Sequence, residues 1–351
     1  MKVLVINPGA TSTKIAVFDE DKQVFKKGID HSAQELDQFD RVIDQADYRQ
    51  KAILDAVAES GYQLSDFDAV CGRGGLYRAI PSGTYAVSDA VMRDVEQAPY
   101  GEHPSNLGAY LAKKLGDMVG IPAFFVDPVC VDEMTEVAHV SGFREFRRQS
   151  LFHALNQKAT ARKAAEQMGK RYEDVKLIVC HLGGGVSVAA HDHGRVVDVF
   201  NVKDEGAMGL DRGGSLPVNA LINYCYSGKS KEEVKRIFGR QSGMFSYVGT
   251  TDFREICAKV VEGDPKFVQA YEALVYQLAK DIGAMAAVLH FDVDAIVYTA
   301  GMAYEEFFCN DISKYVAKLA PIIRLPGEEE MRSLAEGALR VLHGEQEAGV
   351  Y

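Results

Sequence analysis

The sequence predicts an α/β protein built from two similar halves, and three observations carry that expectation. Residues 1–19, MKVLVINPGATSTKIAVFD, read as strand, tight turn, strand. Residues 176–190, KLIVCHLGGGVSVAA, repeat the pattern, and a shift of 174 positions lays Asn7 on His181 and Gly9 on Gly183. A repeat at about half the chain length implies a duplicated unit. Between and after the two copies, short apolar runs alternate with helix-length amphipathic stretches, the pattern of α/β proteins.

In the first copy, Val3 to Ile6 form a short apolar run with β-branched residues, and Asn7-Pro8-Gly9 ends it. Proline removes a ladder donor and glycine permits positive φ, so the chain turns there. Residues 10–14 are small and hydroxylic with one lysine, and residues 15–18 are apolar again. No helix fits between the runs, which makes this a hairpin whose turn offers N–H groups and hydroxyls to phosphate oxygens. Residues 24–28 add a strand edge, residues 34–44 are helix-compatible, and residues 49–60 form an amphipathic helix ending before Gly61. A strand at 69–71 runs into Gly72-Arg73-Gly74-Gly75. Helices are expected at 90–97 and 106–119, and a buried strand at 121–126 ends in Asp127-Pro128. A carboxylate at the carboxyl end of a strand is where α/β proteins place active-site groups.

A helix over 150–169 carries His153 in its first turn, and the second hairpin follows at 176–200. Residues 203–217 are loop-rich, with Asp204-Glu205-Gly206 and Asp211-Arg212-Gly213-Gly214. Helices are expected at 232–238 and 265–291, a strand at 294–299 before Ala300-Gly301-Met302, and a closing helix at 328–343 opened by three glutamates. Acidic residues suit a helix N-terminus.

The 351 residues carry a net charge of −11, which argues against a non-specific binder of nucleic acid or of an anionic membrane. An anionic substrate therefore needs particular arginines or lysines. The six cysteines include no C-x-x-C pair and read as buried, reduced thiols. Lys2 is followed by only four apolar residues before Asn7-Pro8, so no signal peptide is expected. No apolar run approaches the ~18 residues that span a bilayer. These features give a cytoplasmic expectation.

Two familiar nucleotide motifs fail. Residues 223–230, NYCYSGKS, put Asn223 where a P-loop needs glycine and follow a helix-like stretch. Neither Gly183-Gly184-Gly185 nor Gly72-Arg73-Gly74-Gly75 completes G-x-G-x-x-G. His191-Asp192-His193 reads as a solvated turn rather than a metal site. What remains is a consistent set. Arg73 and Arg212 sit in glycine-rich turns where a guanidinium reaches a phosphate unhindered. Asp127 either holds a divalent cation or caps the following turn, and His153 is either a neutral donor or a packed core histidine. Arginine, carboxylate and Mg²⁺ together are what phosphoryl transfer demands, because charge spreads over three equatorial oxygens.

Four segments in order resemble the acetate/butyrate kinase family of the actin-like and sugar-kinase superfamily: residues 7–14 (NPGATSTK), 180–185 (CHLGGG), 204–214 (DEGAMGLDRGG) and 294–301 (DAIVYTAG). The resemblance covers essentially the whole chain, and the Pro8-Gly9 opening and short chain resemble the butyrate kinase branch. It implies two ribonuclease-H-like domains, an actin-like ATPase fold, with a cleft between them. The expected boundaries are 1–153 plus 328–351 for the first domain and 154–327 for the nucleotide-binding second. It also implies ATP/ADP, Mg²⁺, a small carboxylate acceptor, and a homodimer or higher homo-oligomer.

By position, the resemblance makes Arg73, Asp127, His153 and Arg212 the catalytic set. His181, Gly183, Gly184, Gly185, Asp204, Gly206, Thr299, Ala300, Gly301 and Met302 fall on the nucleotide, and Asn7 and Glu329 on the metal. Two departures from the family pattern matter. Gly72-Arg73-Gly74-Gly75 replaces a longer Arg-x-x-His-Gly-Gly, which makes Arg78 a competitor of Arg73, and Glu328, Glu329 and Glu330 are consecutive, with Glu329 taken as the metal-linked one. The reading is reversible transfer of the ATP γ-phosphoryl group to butanoate. Other short-chain carboxylates, a sugar kinase and a slow ATPase of the same superfamily are the alternatives.

Overall fold

The computed structural model describes all 351 residues. They form two compact units, Met1–Asp132 with Glu329–Tyr351, and Glu133–Glu328. Residues 133–153, grouped with the first domain in the sequence reading, pack within the second unit. There the Thr135 N–H donates to the Val197 carbonyl, and Arg148 pairs with Asp198 and Glu205.

The first unit is a six-stranded sheet made of β1 (Lys2–Pro8), β2 (Ser12–Asp19), β3 (Lys22–Asp30), β4 (Ala69–Arg73), β5 (Thr84–Ala86) and β6 (Ala123–Val126). Its order is β3-β2-β1-β4-β6-β5. The β1–β2–β3 meander is antiparallel, and β4 and β6 extend it in parallel. The β1 run Val3-Leu4-Val5-Ile6 is fully buried because both of its faces are covered, as a partly parallel sheet requires. Leu4 and Ile6 share a cluster with Leu107 and Leu111 of the Asn106–Val119 helix, and the Glu330–Leu342 helix also packs on β1 and β6. Close approach is enforced by glycine. A Cβ at Gly72 would lie 2.0 Å from the Gly108 carbonyl oxygen, and one at Gly108 would lie 2.3 Å from the Arg73 carbonyl oxygen.

The second unit has β7 (Lys176–Leu182), β8 (Val186–Asp192), β9 (Arg195–Val199), β10 (Ala295–Ala300) and β11 (Ile322–Pro326), in the order β11-β10-β7-β8-β9. This is the first sheet's arrangement repeated: an antiparallel meander followed by two parallel strands. Shifted by 174, β1 and β2 fall on β7 and β8 residue for residue at their first positions. The alternation along β7 shows both faces in use. Ile178, Cys180 and Leu182 join a cluster with the long Pro265–Val288 helix, while Leu177 and Val179 pack with Ala161, Ala164 and Ala165 of the Ala154–Gln167 helix.

Most expected elements form, with shifted ends. The helix expected over 150–169 spans Ala154–Gln167, so His153 is its N-cap position rather than part of the first turn. The helix-compatible stretch 34–44 holds only Ala33–Leu36 and a short 3₁₀ turn at Ile43–Gln45. No helix is long and apolar enough to cross a membrane.

Candidate active site

In the first unit the parallel pairing of β1 and β4 brings their carboxyl ends side by side, Ile6 opposite Gly72. Asn7 and Arg73 follow those residues and meet. Arg73 Nη1 donates to Asn7 Oδ1 at 3.3 Å, and Asn7 Nδ2 donates to Glu330 Oε2 at 2.7 Å. The Arg73 fork engages the same carboxylate twice, Nη1 to Oε2 at 3.1 Å and Nη2 to Oε1 at 2.9 Å. Glu330 starts the closing helix, whose packing on β1 delivers the carboxylate. The metal-side glutamate expected from sequence was Glu329, but it is Glu330 that the structure joins to Asn7 and Arg73. Glu329 holds the N-cap position, more than half exposed, with Arg332 at 3.5 Å. Glu330 is the first helical residue and Glu329 the non-helical N-cap, so their side chains leave the backbone in different directions. Arg78, the competitor of Arg73, stacks over the Tyr351 ring instead, 4.3 Å from its centroid.

Asp127 is buried directly after β6 with φ +38°. Its Oδ1 accepts from Ser82 Oγ at 2.6 Å and from the Gly83 N–H at 2.8 Å, so one carboxylate oxygen is committed to anchoring the 82–83 loop. Neither sequence alternative for Asp127, a cation ligand or a cap of the following turn, named this anchor on the preceding loop.

In the second unit His153, His181 and Arg212 surround the β7–β8 turn. The two imidazoles stack, centroids 3.6 Å apart and planes within 4°. His153 Nδ1 lies 3.0 Å from Ser187 Oγ, and His181 Nδ1 lies 2.8 Å from Asn156 Oδ1. His181 Nε2 faces Glu328 Oε1 at 3.2 Å. A Cβ at Gly185 would lie 2.8 Å from Arg212 Nη1 and 3.3 Å from His153 Cε1, whereas one at Gly184 would meet nothing within 4 Å. Gly185 is thus the position where arginine, histidine and hairpin backbone converge. Unlike Arg73, Arg212 has no carboxylate in hydrogen-bond contact, Asp211 lying 3.8 Å away. Its charge is available to an anion.

Of the ten residues expected on the nucleotide, Gly183, Gly184, Gly301 and Met302 line one groove of about 400 Å³. Thr299 lies behind, buried, its Oγ1 3.2 Å from Thr160 Oγ1 and donating to the Gly327 carbonyl at 3.2 Å. Ala300 takes φ +70° and turns the chain toward the groove. Sequence reasoning missed the opposite wall, Thr251, Asp252 and Arg254, with Tyr304 and Glu305 completing it. Asp252 caps the Phe253–Glu262 helix by accepting from the Arg254 N–H, and an aspartate two residues before an arginine at a helix start was the available signal. Asp204 instead lines a larger cavity of about 810 Å³ with Lys203, Arg212 and the apolar Leu216, Leu221 and Phe238.

Gly206, at φ +72°, sits over Asp281, whose Oδ2 accepts from the Ala207 N–H at 2.6 Å. Burial pushes the Asp281 carboxyl up to about 7, against the opposing pull of that hydrogen bond. The expected solvated turn at 191–193 is only partly one. His191 is fully buried between Tyr172 Oη and Gln157 Oε1, at 2.7 and 3.0 Å, and burial lowers its pKa well below the usual range. Its place within β8, where Val186 to His191 are all buried because both faces of the strand are covered, is the reason.

Residues 141–319 match the model of the acetokinase family. Across 352 aligned positions the chain is 46% identical to butyrate kinase 1 of Clostridium acetobutylicum, covering all of this chain and 99% of that protein. The chain belongs to the acetokinase family. Membership makes it an ATP-dependent kinase of carboxylates. An acetate kinase from Porphyromonas gingivalis has the same fold, with a TM-score of 0.81 at 20% identity over 97% of this chain and 99% of that one. A propionate kinase from Francisella tularensis gives 0.76 at 17% identity over 96% and 98%. The fold is that of the actin-like ATPases, two ribonuclease-H-like units, as the acetokinase resemblance implied.

Proposed function

We propose that the chain transfers the γ-phosphoryl group of ATP reversibly to butanoate, giving butanoyl phosphate and ADP. The observation that carries this reading is the 46% identity to a butyrate kinase along the entire chain. A carboxylate oxygen attacks the γ-phosphorus while the bond from that phosphorus to the β–γ bridging oxygen breaks, and ADP leaves. The acceptor is already ionised at neutral pH, since a carboxylic acid in water has a pKa of ~4, so no general base is needed. The work is to neutralise two anions and hold them in line.

On this reading Arg212 takes charge from the transferring group, and the Gly183–Gly185 turn offers its backbone to the nucleotide phosphates. The groove lined by Gly301, Met302, Asp252 and Arg254 takes the nucleoside. His153 and His181 give neutral or cationic donors along the phosphate path. In the first unit, Arg73 serves the carboxylate or phosphoryl oxygens, and Asp127 holds the loop beside it. Asn7 and Glu330 present hard oxygen donors suited to Mg²⁺, which commonly takes one or two protein ligands and completes its shell with water and substrate phosphates. Bound there, Mg²⁺ would neutralise phosphate charge.

The test is hydroxylamine trapping of the acyl phosphate with Mg-ATP across acetate, propionate, butanoate, isobutanoate, valerate and glucose. A signal peaking at four carbons supports the reading. A peak elsewhere keeps the chemistry and moves the substrate, since one methylene is worth only ~1–3 kcal/mol. No signal with any carboxylate overturns it. The homo-oligomer is tested by light scattering of the purified chain.

A further inference from the structure

Arg49 is the largest fully buried side chain in the molecule, at 0% exposure, and it lies outside every motif named above. Its fork reaches the β1–β2 turn from behind. Nη1 donates to the Ser12 carbonyl at 3.2 Å and to Thr13 Oγ1 at 2.9 Å, and Nη2 donates to the Ala10 carbonyl at 3.3 Å. Nε donates to Gln45 Oε1 at 3.0 Å. Every acceptor is neutral, and no carboxylate pairs with this guanidinium. Its nearest titratable neighbours are His31, which contacts Thr13 Oγ1 at 2.8 Å, and Tyr48, which contacts His31 at 3.0 Å. Burial, then the charge of Arg49, lowers the His31 pKa and keeps that ring neutral.

A buried cation without an anion is costly, and a turn can be held by neutral donors at less expense. The turn's own geometry shows what the charge is for. The Ala10 and Ser12 carbonyls are drawn inward to Arg49, and the Thr11 carbonyl accepts from the His31 N–H at 2.8 Å. In a trans peptide the C=O and the next N–H point opposite ways, so the inward Ala10 carbonyl leaves the Thr11 N–H outward, while the Gly9 N–H closes the turn on the Ser12 carbonyl at 2.7 Å. Ala10 and Thr11 are exposed and Gly9 is half-buried, and neither the Ala10 nor the Thr11 N–H donates to another protein group. Outward amides backed by a fixed positive charge make an anion-binding concavity.

We propose that Arg49 is a positioning residue that shapes the Pro8–Ser12 turn and supplies its positive potential for a phosphoryl group. This deepens the phosphotransfer reading, on which the phosphoryl group belongs to the nucleotide or to the acyl phosphate.

The experiment titrates inorganic phosphate into the full-length wild type, Arg49→Met, Arg49→Lys and Thr11→Pro, by calorimetry, with melting temperatures measured alongside. Parallel titrations use ADP and 2-oxopentylphosphonate, a stable analogue of butanoyl phosphate. Arg49→Met is expected to lose at least tenfold in phosphate affinity and Arg49→Lys to recover most of it. Thr11→Pro, which removes an outward N–H and leaves Arg49 in place, is expected to lose affinity too. Whichever of ADP or the phosphonate shares the loss names the source of the phosphoryl group. In turnover, KM for that substrate rises more than kcat falls. Wild-type affinity in a folded Arg49→Met or in Thr11→Pro overturns the proposal, as does equal loss in Arg49→Lys and Arg49→Met. If Arg49→Met does not fold, Arg49→Lys and Thr11→Pro decide by the same criteria. The phosphate titration is independent of trapping by hydroxylamine, so a failed substrate assignment and a failed role for Arg49 give different results.

Discussion

Arg73 and Glu330 meet fork to fork, at 2.9 and 3.1 Å, although 257 residues separate them in the chain. Asn7 completes the group through both partners. The guanidinium is held in one orientation while the carboxylate keeps oxygen lone pairs for a cation, an arrangement a single surface ion pair could not give. Glu330→Gln should therefore lower turnover by roughly 10²-fold or more and raise the Mg²⁺ concentration for half-maximal rate. Glu329→Gln should stay within about threefold of wild type, since its carboxylate is exposed beside Arg332. Initial rates against Mg²⁺ concentration distinguish the two.

Replacing either arginine by alanine should lower kcat by roughly 10²–10⁵, the range observed when a charge clamp on a transferring phosphoryl group is lost. Arg212→Lys should recover little, because a point charge does not reproduce a planar fork. Turnover near wild type in Arg73→Ala or Arg212→Ala would remove that residue from the mechanism.

Gly185 and Gly184 form a matched pair. A methyl group at Gly185 would press on Arg212 and His153, whereas at Gly184 it would enter open space. Gly185→Ala should lose at least tenfold in kcat/KM with little change in melting temperature, and Gly184→Ala should lose less than threefold. Steady-state kinetics on both variants, with thermal melts as controls, make the comparison.

Gly72 tests the packing rather than the chemistry. Its Cβ would overlap Gly108 backbone at 2.0 Å, and backbone cannot swing aside as a side chain can. Gly72→Ala should destabilise the protein by about 3 kcal/mol or more, read from denaturant melts.

Asp281 gives a pH dependence with a definite sign. Its folded pKa, about 7, stands above the ordinary aspartate value of 3.8, so the folded state binds the proton more tightly than the unfolded chain. Below pH ~4 both states are protonated. As pH rises from there toward 7, only the unfolded chain ionises, and this group's contribution to stability falls. Asp281→Asn, which keeps an oxygen for the Ala207 N–H, should gain on wild type progressively across that interval and level off above it. Parallel melts between pH 4 and 8 would show whether the two curves diverge; curves that stay parallel would exclude Asp281 as the source.

The repeat of β1–β2 in β7–β8 was legible because it is written in local terms: an apolar run, a breaker, an apolar run, twice at one spacing. Arg73, Arg212, His153 and Asp127 stand out by the same kind of local signal, each beside a glycine-rich turn or an element end. Glu330 could not be chosen over Glu329 from three identical neighbours, since the choice depends on the rotation of a helix fixed by its packing on β1. His191 was taken for a turn residue because His-Asp-His before glycine looks solvated. The strand runs on to Asp192, and cover on both of its faces buries His191. Arg49 was read only as part of an amphipathic helix, and nothing in the sequence around it marks it as unlike any other helical arginine.

The sequence by itself determined the α/β class, the duplication and the family, since these rest on local periodicity and on motifs short enough to read in line. Tertiary structure alone decided which glutamate meets Asn7, which glycine touches Arg212, and which arginine lies buried behind the first turn. Those relations join residues tens to hundreds of positions apart, and their distances are set by how helices pack on sheets, which no local pattern encodes.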